Sequence, residues 1–134
     1  MSAWGDLTDA VGAALTAASY SVSTLADPAL LPSHTARTEV VVTVTSAGDG
    51  VRSSGYGADT LAVRLSAIAT GYTQADAQRA ALELCRALRV VVENSATLRA
   101  SGTVVYRESS VTMRGGSTVA DASVVFDAYI LNAY

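Results

Sequence analysis

Few residues in this chain could do acid–base, nucleophilic or metal chemistry, and their spacing keeps them apart. There is one histidine, His34, and one cysteine, Cys85. His34 lies between Ser33 and Thr35, next to Pro32, in a stretch that reads as loop. Nucleophilic catalysis needs an activating partner, and neither a Cys–His pair nor a Gly-x-Ser-x-Gly elbow accompanies it. Cys85 falls at the edge of a helix's apolar stripe and reads as a small buried hydrophobe. One Cys and one His do not make a Cys/His zinc set. A single Cys also excludes an intramolecular disulfide, so folding does not call for an oxidising compartment.

The carboxylates are scattered. Asp121 and Asp127 share one face of a predicted strand, but six residues of strand span about 20 Å. Glycosidase pairs sit within about 10 Å, and no carboxylate run has calcium-loop spacing. Gly55-Tyr56-Gly57 lacks the Lys-Ser/Thr ending of a phosphate loop and does not lead into a helix. Arg86 and Arg89 have Glu83 and Glu93 one turn away, so surface ion pairs account for them. No catalytic, cofactor-binding or metal residue is assigned, no cofactor is expected, and the chain is expected not to be an enzyme.

The elements that would position these groups follow from periodicity. Residues 2–19 predict a helix, with Leu7, Ala10, Val11, Ala14, Leu15 and Ala18 on one stripe. Tyr20–Leu25 alternates like a short strand, and residues 26–37, with Pro28 and Pro32, predict a surface crossing. Thr38–Ser46 is a strong strand with Val40, Val42 and Val44 on one face. Thr60–Thr70 is its expected partner, with Leu61, Val63, Leu65, Ala67 and Ala69 facing inward. Between them, Ala47–Asp59 with four glycines reads as a loop far longer than the usual hairpin connection.

Thr73, with Asp76 three residues on, resembles a capping box opening a second helix. Its predicted stripe is Ala77, Ala81, Leu84, Leu88 and Val91. Leu82 and Val90 fall outside it, which suggests packing on two surfaces, and Asn94 and Ser95 end the helix. The runs 103–114 and 117–131 flank Gly115-Gly116, a strong hairpin signal. On the last strand Ala120, Ala122, Val124, Phe126, Ala128 and Ile130 form the inner face. Val125, Tyr129 and Leu131 are apolar on the face expected to be wet, which points to contact with either a neighbouring subunit or a second layer. The fold expected is α+β: one domain over residues 1–134, with an antiparallel or mixed sheet of two hairpins packed on two helices.

Composition favours a subunit over a lone monomer. Half the residues are hydrophobic and 16% are charged, against about 25% charged on average. Such a chain has little polar surface to spare, and burying surface against copies of itself relieves that. All nine basic residues are Arg, and the net charge is −3, which argues against a protein that grips phosphates. No basic n-region followed by an apolar run opens the chain, and no apolar run approaches about 20 residues. Neither a signal peptide nor a membrane partner is expected, and the chain reads as cytosolic when made.

Element order and texture resemble the tail terminator proteins of long-tailed phages, the lambda-like minor tail protein U and tail-completion group that also occurs in gene transfer agents. The resemblance spans nearly the whole chain. It runs through the Ala-rich opening helix, the Pro-containing crossing, Thr38-Glu-Val-Val-Val-Thr-Val-Thr45, Leu61-Ala-Val-Arg-Leu-Ser-Ala-Ile68, Thr73-Gln-Ala-Asp-Ala-Gln-Arg-Ala-Ala-Leu82, Leu84-Cys-Arg-Ala-Leu88 and Val124-Val-Phe-Asp-Ala-Tyr129. It implies a virion structural protein of the tail–neck region, assembled in the host cytoplasm. Such proteins form homo-hexameric rings that cap the tail tube, meet a head-completion or neck protein, and let DNA pass through the lumen without specific binding. The family brings no catalytic residues. The Gly-rich segment departs from the pattern and is expected to reach a neighbour or line the channel. The candidate subunit-interface residues are Asp49, Arg52, Tyr56, Val125, Tyr129 and Leu131. The alternatives are another head-completion or connector subunit, and a small ligand-binding domain or enzyme with a pocket of convergent polar groups.

Overall fold

A computed structural model of the chain describes residues 3–22, 39–53, 56–95, 103–114 and 118–133. Helix α1 spans Ala3–Ala17, strand β1 Ser21–Val22, β2 Glu39–Ser53 and β3 Tyr56–Thr70. Helix α2 then spans Gln74–Glu93, β4 Thr103–Met113 and β5 Val119–Ala133. Among the described residues five strands form one sheet in the order β1-β2-β3-β5-β4, parallel only between β1 and β2. The fold is therefore α+β with a mixed sheet, as the periodicities predict.

Both helices contribute to one core cluster. Leu61, Val63, Leu65, Ala67 and Ala69 of β3 lie opposite Ala128, Phe126, Val124, Ala122 and Ala120 of β5, and all ten are buried. Val40 and Val44 of β2 join them, and Ala10, Val11 and Leu15 of α1 complete that edge. The register is specified because a slip of one residue would turn this apolar set away from the helices. On α2 the buried stripe is Ala77, Ala81, Leu84, Cys85, Leu88 and Val92. Val91, predicted for the stripe, is only half-buried, because a step of four from Leu88 reaches the core better than a step of three. Leu82 and Val90 are 55% and 49% exposed, so within this chain α2 packs mainly through one face.

Local chemistry sets the ends of the helices. Thr73 is extended and its Oγ1 accepts from the Asp76 N–H at 3.1 Å, satisfying an orphan donor of α2. At the end of α1, Ser19 sits at φ 70°, Tyr20 N–H donates to the Leu15 carbonyl at 2.9 Å and Ser19 N–H to the Thr16 carbonyl at 3.1 Å. This is a Schellman cap with serine where glycine is usual. The left-handed conformation costs a residue with a Cβ about 1–2 kcal/mol. Ser19→Gly is therefore expected to raise stability by about 0.5–1 kcal/mol after glycine's larger unfolded-state entropy is counted. Urea unfolding checks this, and a loss of stability would mean that the serine side chain contributes more than the backbone strain costs.

Two expectations need correction. Ala47–Asp59 is not an open loop. β2 and β3 stay paired out to Ser53 opposite Tyr56, with register shifts between Ser46 and Gly48 and between Asp49 and Arg52. Each shift places one extra residue on β2, as β-bulges do, and the bulges absorb what reads locally as loop composition. The outer sheet face is also not uniformly wet. Val41, Ile68 and Val119 form a second buried cluster there, and Val125 is 5% exposed. The hairpin around Gly115-Gly116 is seen in its flanks, with Met113 opposite Ala120 and Arg114 N–H donating to the Val119 carbonyl at 2.9 Å. The glycines themselves, the Pro-containing crossing, His34 and residues 23–25 of the predicted first strand lie outside the described residues.

Candidate functional site

The groups singled out for chemistry do not converge. Cys85 is buried against the sheet, its Sγ 3.7 Å from the Ser123 carbonyl and 3.8 Å from that of Ser110. Burial raises its pKa, and the Ser123 contact offsets this only in part. A protonated, covered thiol is a poor nucleophile. Ellman's reagent is expected to modify Cys85 on the order of 10²-fold more slowly in the native protein than in denaturant. The native state keeps a proton that the unfolded chain releases, so this thiol's contribution to stability declines as pH rises past the ordinary value of 9.0. Rapid native labelling at neutral pH would contradict the placement.

Asp121 and Asp127 each face an arginine. Arg114 makes a two-pronged pair with Asp121, at 3.0 and 2.9 Å. Arg107 lies 3.1 Å from both oxygens of Asp127. Arg107 is the extra residue at the register shift between Tyr106 and Glu108, and this bulge brings it to Asp127. Arg89 pairs with Glu93 along α2, and its guanidinium lies 3.8 Å from the centre of the Tyr106 ring. These three arginines thus tie elements of the domain together rather than form a basic patch. Among the described residues no three His, Cys, Asp or Glu side chains gather as a metal site. No described helix is long and apolar enough to cross a membrane.

Backbone register draws five of the six candidate interface residues towards one end of the sheet. Arg52 lies opposite Gly57, Asp49 opposite Asp59, and Tyr56 opposite both Ser53 and Ala133. Leu131 lies opposite Ala58, and Tyr129 opposite Thr60 and Thr103. The ends of β2, β3 and β5 form a three-stranded arm past the Leu61–Ala128 pair. The side chains of these five lie outside the described set. Val125 stands apart from them. Its cross-strand neighbours are Arg64 and Glu108, both exposed, whose long stems can lie over it. The chain therefore buries most of Val125 by itself, leaving little for a neighbour to cover.

Two features were missed at the level of sequence. Tyr72, between β3 and α2, is 99% exposed. An aromatic flanked by a glycine and a helix N-cap was the available signal. The other is an apolar cleft of about 460 Å³ between the C-terminal half of α1 and the end of α2, lined by residues that include Ala10, Ala14, Ala17, Val91, Asn94 and Ser95. No sequence signal links these two segments, because only the packing of α1 beside α2 creates the space. No protein-family model matches the chain, and no curated protein matches it.

Proposed function

We propose that the chain is a structural subunit of a long-tailed phage or related particle, a tail terminator whose ring caps the tail tube and joins it to the neck. The observation that carries this reading is the three-stranded arm. β2 and β3 are fifteen residues each; β3 stays in register with β5 out to Tyr56 opposite Ala133, and β2 follows β3 through two bulges to Ser53. A paired extension of that length offers backbone-ordered surface for contact with another subunit. A low charge fraction and apolar groups left exposed at Tyr72, Leu82, Val90 and Val105 support self-association. Head-to-tail rings use two different patches per subunit. A net charge of −3, with Arg107 and Arg114 both neutralised by aspartates, suits a conduit that lets DNA slide.

Light scattering with electron microscopy of the same peak tests the reading. The expected result is a ring with a central hole, hexameric by the family resemblance, that binds the ends of isolated tail tubes. A protein that stays monomeric both alone and with tail tubes would overturn it. Binding to heads instead of tails would reassign it to a head-completion or connector role.

A further inference from the structure

We infer that Tyr72 of one copy inserts into the α1–α2 cleft of the next, so that a knob and a hole on the same chain make the head-to-tail contact. The inference deepens the ring reading and rests on it for the identity of the partner. Tyr72 is not a loose surface residue. It follows Gly71, whose N–H donates to the Thr118 carbonyl at 3.2 Å, and precedes Thr73, whose side chain caps α2. A Cβ at Gly71 would lie 2.5 Å from the Ala77 nitrogen, so the chain is held hard against the first turn of the helix. The backbone is thus held on both sides of a side chain that is 99% exposed, and a tyrosine has only two χ angles to fix on docking. Tyrosines of this kind are enriched among the anchors of protein interfaces.

The cleft has room for the knob and a complementary polarity. Its volume of about 460 Å³ lies in the range that holds small-molecule ligands, ample for one phenol ring. Alanine and valine side chains line most of it, and Asn94 and Ser95 supply a polar end. That end is the C-terminus of α2, whose last turn holds no basic residue. The partial negative charge of a helix C-terminus attracts a hydrogen-bond donor, and the tyrosine hydroxyl is one.

The geometry favours a second copy. Tyr72 precedes α2 and the cleft lies at its far end, so twenty residues of helix, about 30 Å, separate them. Tyr72 therefore cannot reach the cleft of its own subunit. A copy that docks its knob still offers an empty cleft, and such contacts propagate into a closed ring or a filament. The area involved sets the strength. A tyrosine buries about 150–250 Å², whereas stable interfaces bury about 1,200–2,000 Å² in total. One knob alone makes a weak pair, and ring closure or docking on a tube, which engages several contacts at once, holds the assembly.

Photo-crosslinking of purified protein, alone and with tail tubes, tests the inference through Tyr72→p-benzoylphenylalanine, which keeps an aromatic ring at the site. The expected product is a covalent dimer with its crosslink in residues 10–18 or 90–95. Its yield should rise with protein concentration and fall at least tenfold when Ala17→Trp fills the cleft. Ala17 is exposed, so that change leaves the core intact. Rings without such crosslinks, or with crosslinks unaffected by Ala17→Trp, would overturn the knob contact and leave the ring reading standing. Cleft crosslinks in a protein that never closes a ring would uphold the contact and sink the ring reading. Capture of the tube protein in place of a second copy would overturn the inference by naming a different occupant. Monomers without crosslinks at any concentration, with or without tubes, would overturn both.

Discussion

Phe126→Ala is expected to remove about 3–5 kcal/mol of folding stability. Phe126 is fully buried, lies opposite Val63 on β3, and meets the Tyr106 ring edge-on at 6.0 Å and 75°. Tyr106 in turn carries the Arg89 guanidinium on its face and shares a 2.7 Å hydrogen bond with Ser109. One ring thus links β5 to β4 and, through Arg89, to α2. Deleting it opens a cavity where the sheet and α2 meet, and a rigid sheet collapses into such a space only in part. Domains of this size are stable by about 5–15 kcal/mol, so the variant should be marginal or unfolded at 37 °C. Denaturant unfolding measures this as a large fall in midpoint at nearly constant slope. Phe126→Leu, which keeps most of the volume, should lose less than about 1.5 kcal/mol. A loss below about 1 kcal/mol for Phe126→Ala would mean that the centre of the core lies elsewhere.

Gly71→Ala should also destabilise, and its sign is the informative part. At an unstrained site this change gains about 0.4–1 kcal/mol by restricting the unfolded chain. Here the new Cβ would stand 2.5 Å from the Ala77 nitrogen, 2.7 Å from the Asp76 Cβ and 2.8 Å from the Asp76 carbonyl carbon. Two of these are backbone atoms in the first turn of α2, so no side chain can swing clear. Overpacking of this kind costs about 1–3 kcal/mol, which outweighs the entropic gain. The same shift should move Tyr72 and lower its crosslinking yield. Urea unfolding of Gly71→Ala beside the parent gives the answer, and a stabilised variant would show that α2 starts further from β3 than these distances require.

The parts of the fold governed by short-range rules were legible along the chain. The alternation of Leu61, Val63, Leu65, Ala67 and Ala69 and of Ala120 through Ala128 marked two inner strand faces, and every one of those inner positions is buried. Thr73 marked the start of α2 and Asn94 its end, because capping depends on residues within one turn. The α+β class followed from the order of these elements.

Other features arise from contacts between residues far apart in the chain. Gly48, Gly50 and Gly57 read as loop because glycine has low strand propensity, yet β3 is held between β2 and the end of β5, and those distant partners override the local preference. Val125 looked available to a neighbour because alternation assigns a face without saying what lies over it. Its burial shows only in the folded chain, where its register partners Arg64 and Glu108 come from other strands. The scattered carboxylates could be seen in advance, but not that Asp121 and Asp127 are taken up by Arg114 and Arg107. The cleft between α1 and α2 has no counterpart in either segment alone. Periodicity and capping act over a few residues, whereas strand pairing, ion pairing and clefts depend on residues brought together from far along the chain, and only the folded packing brings them together.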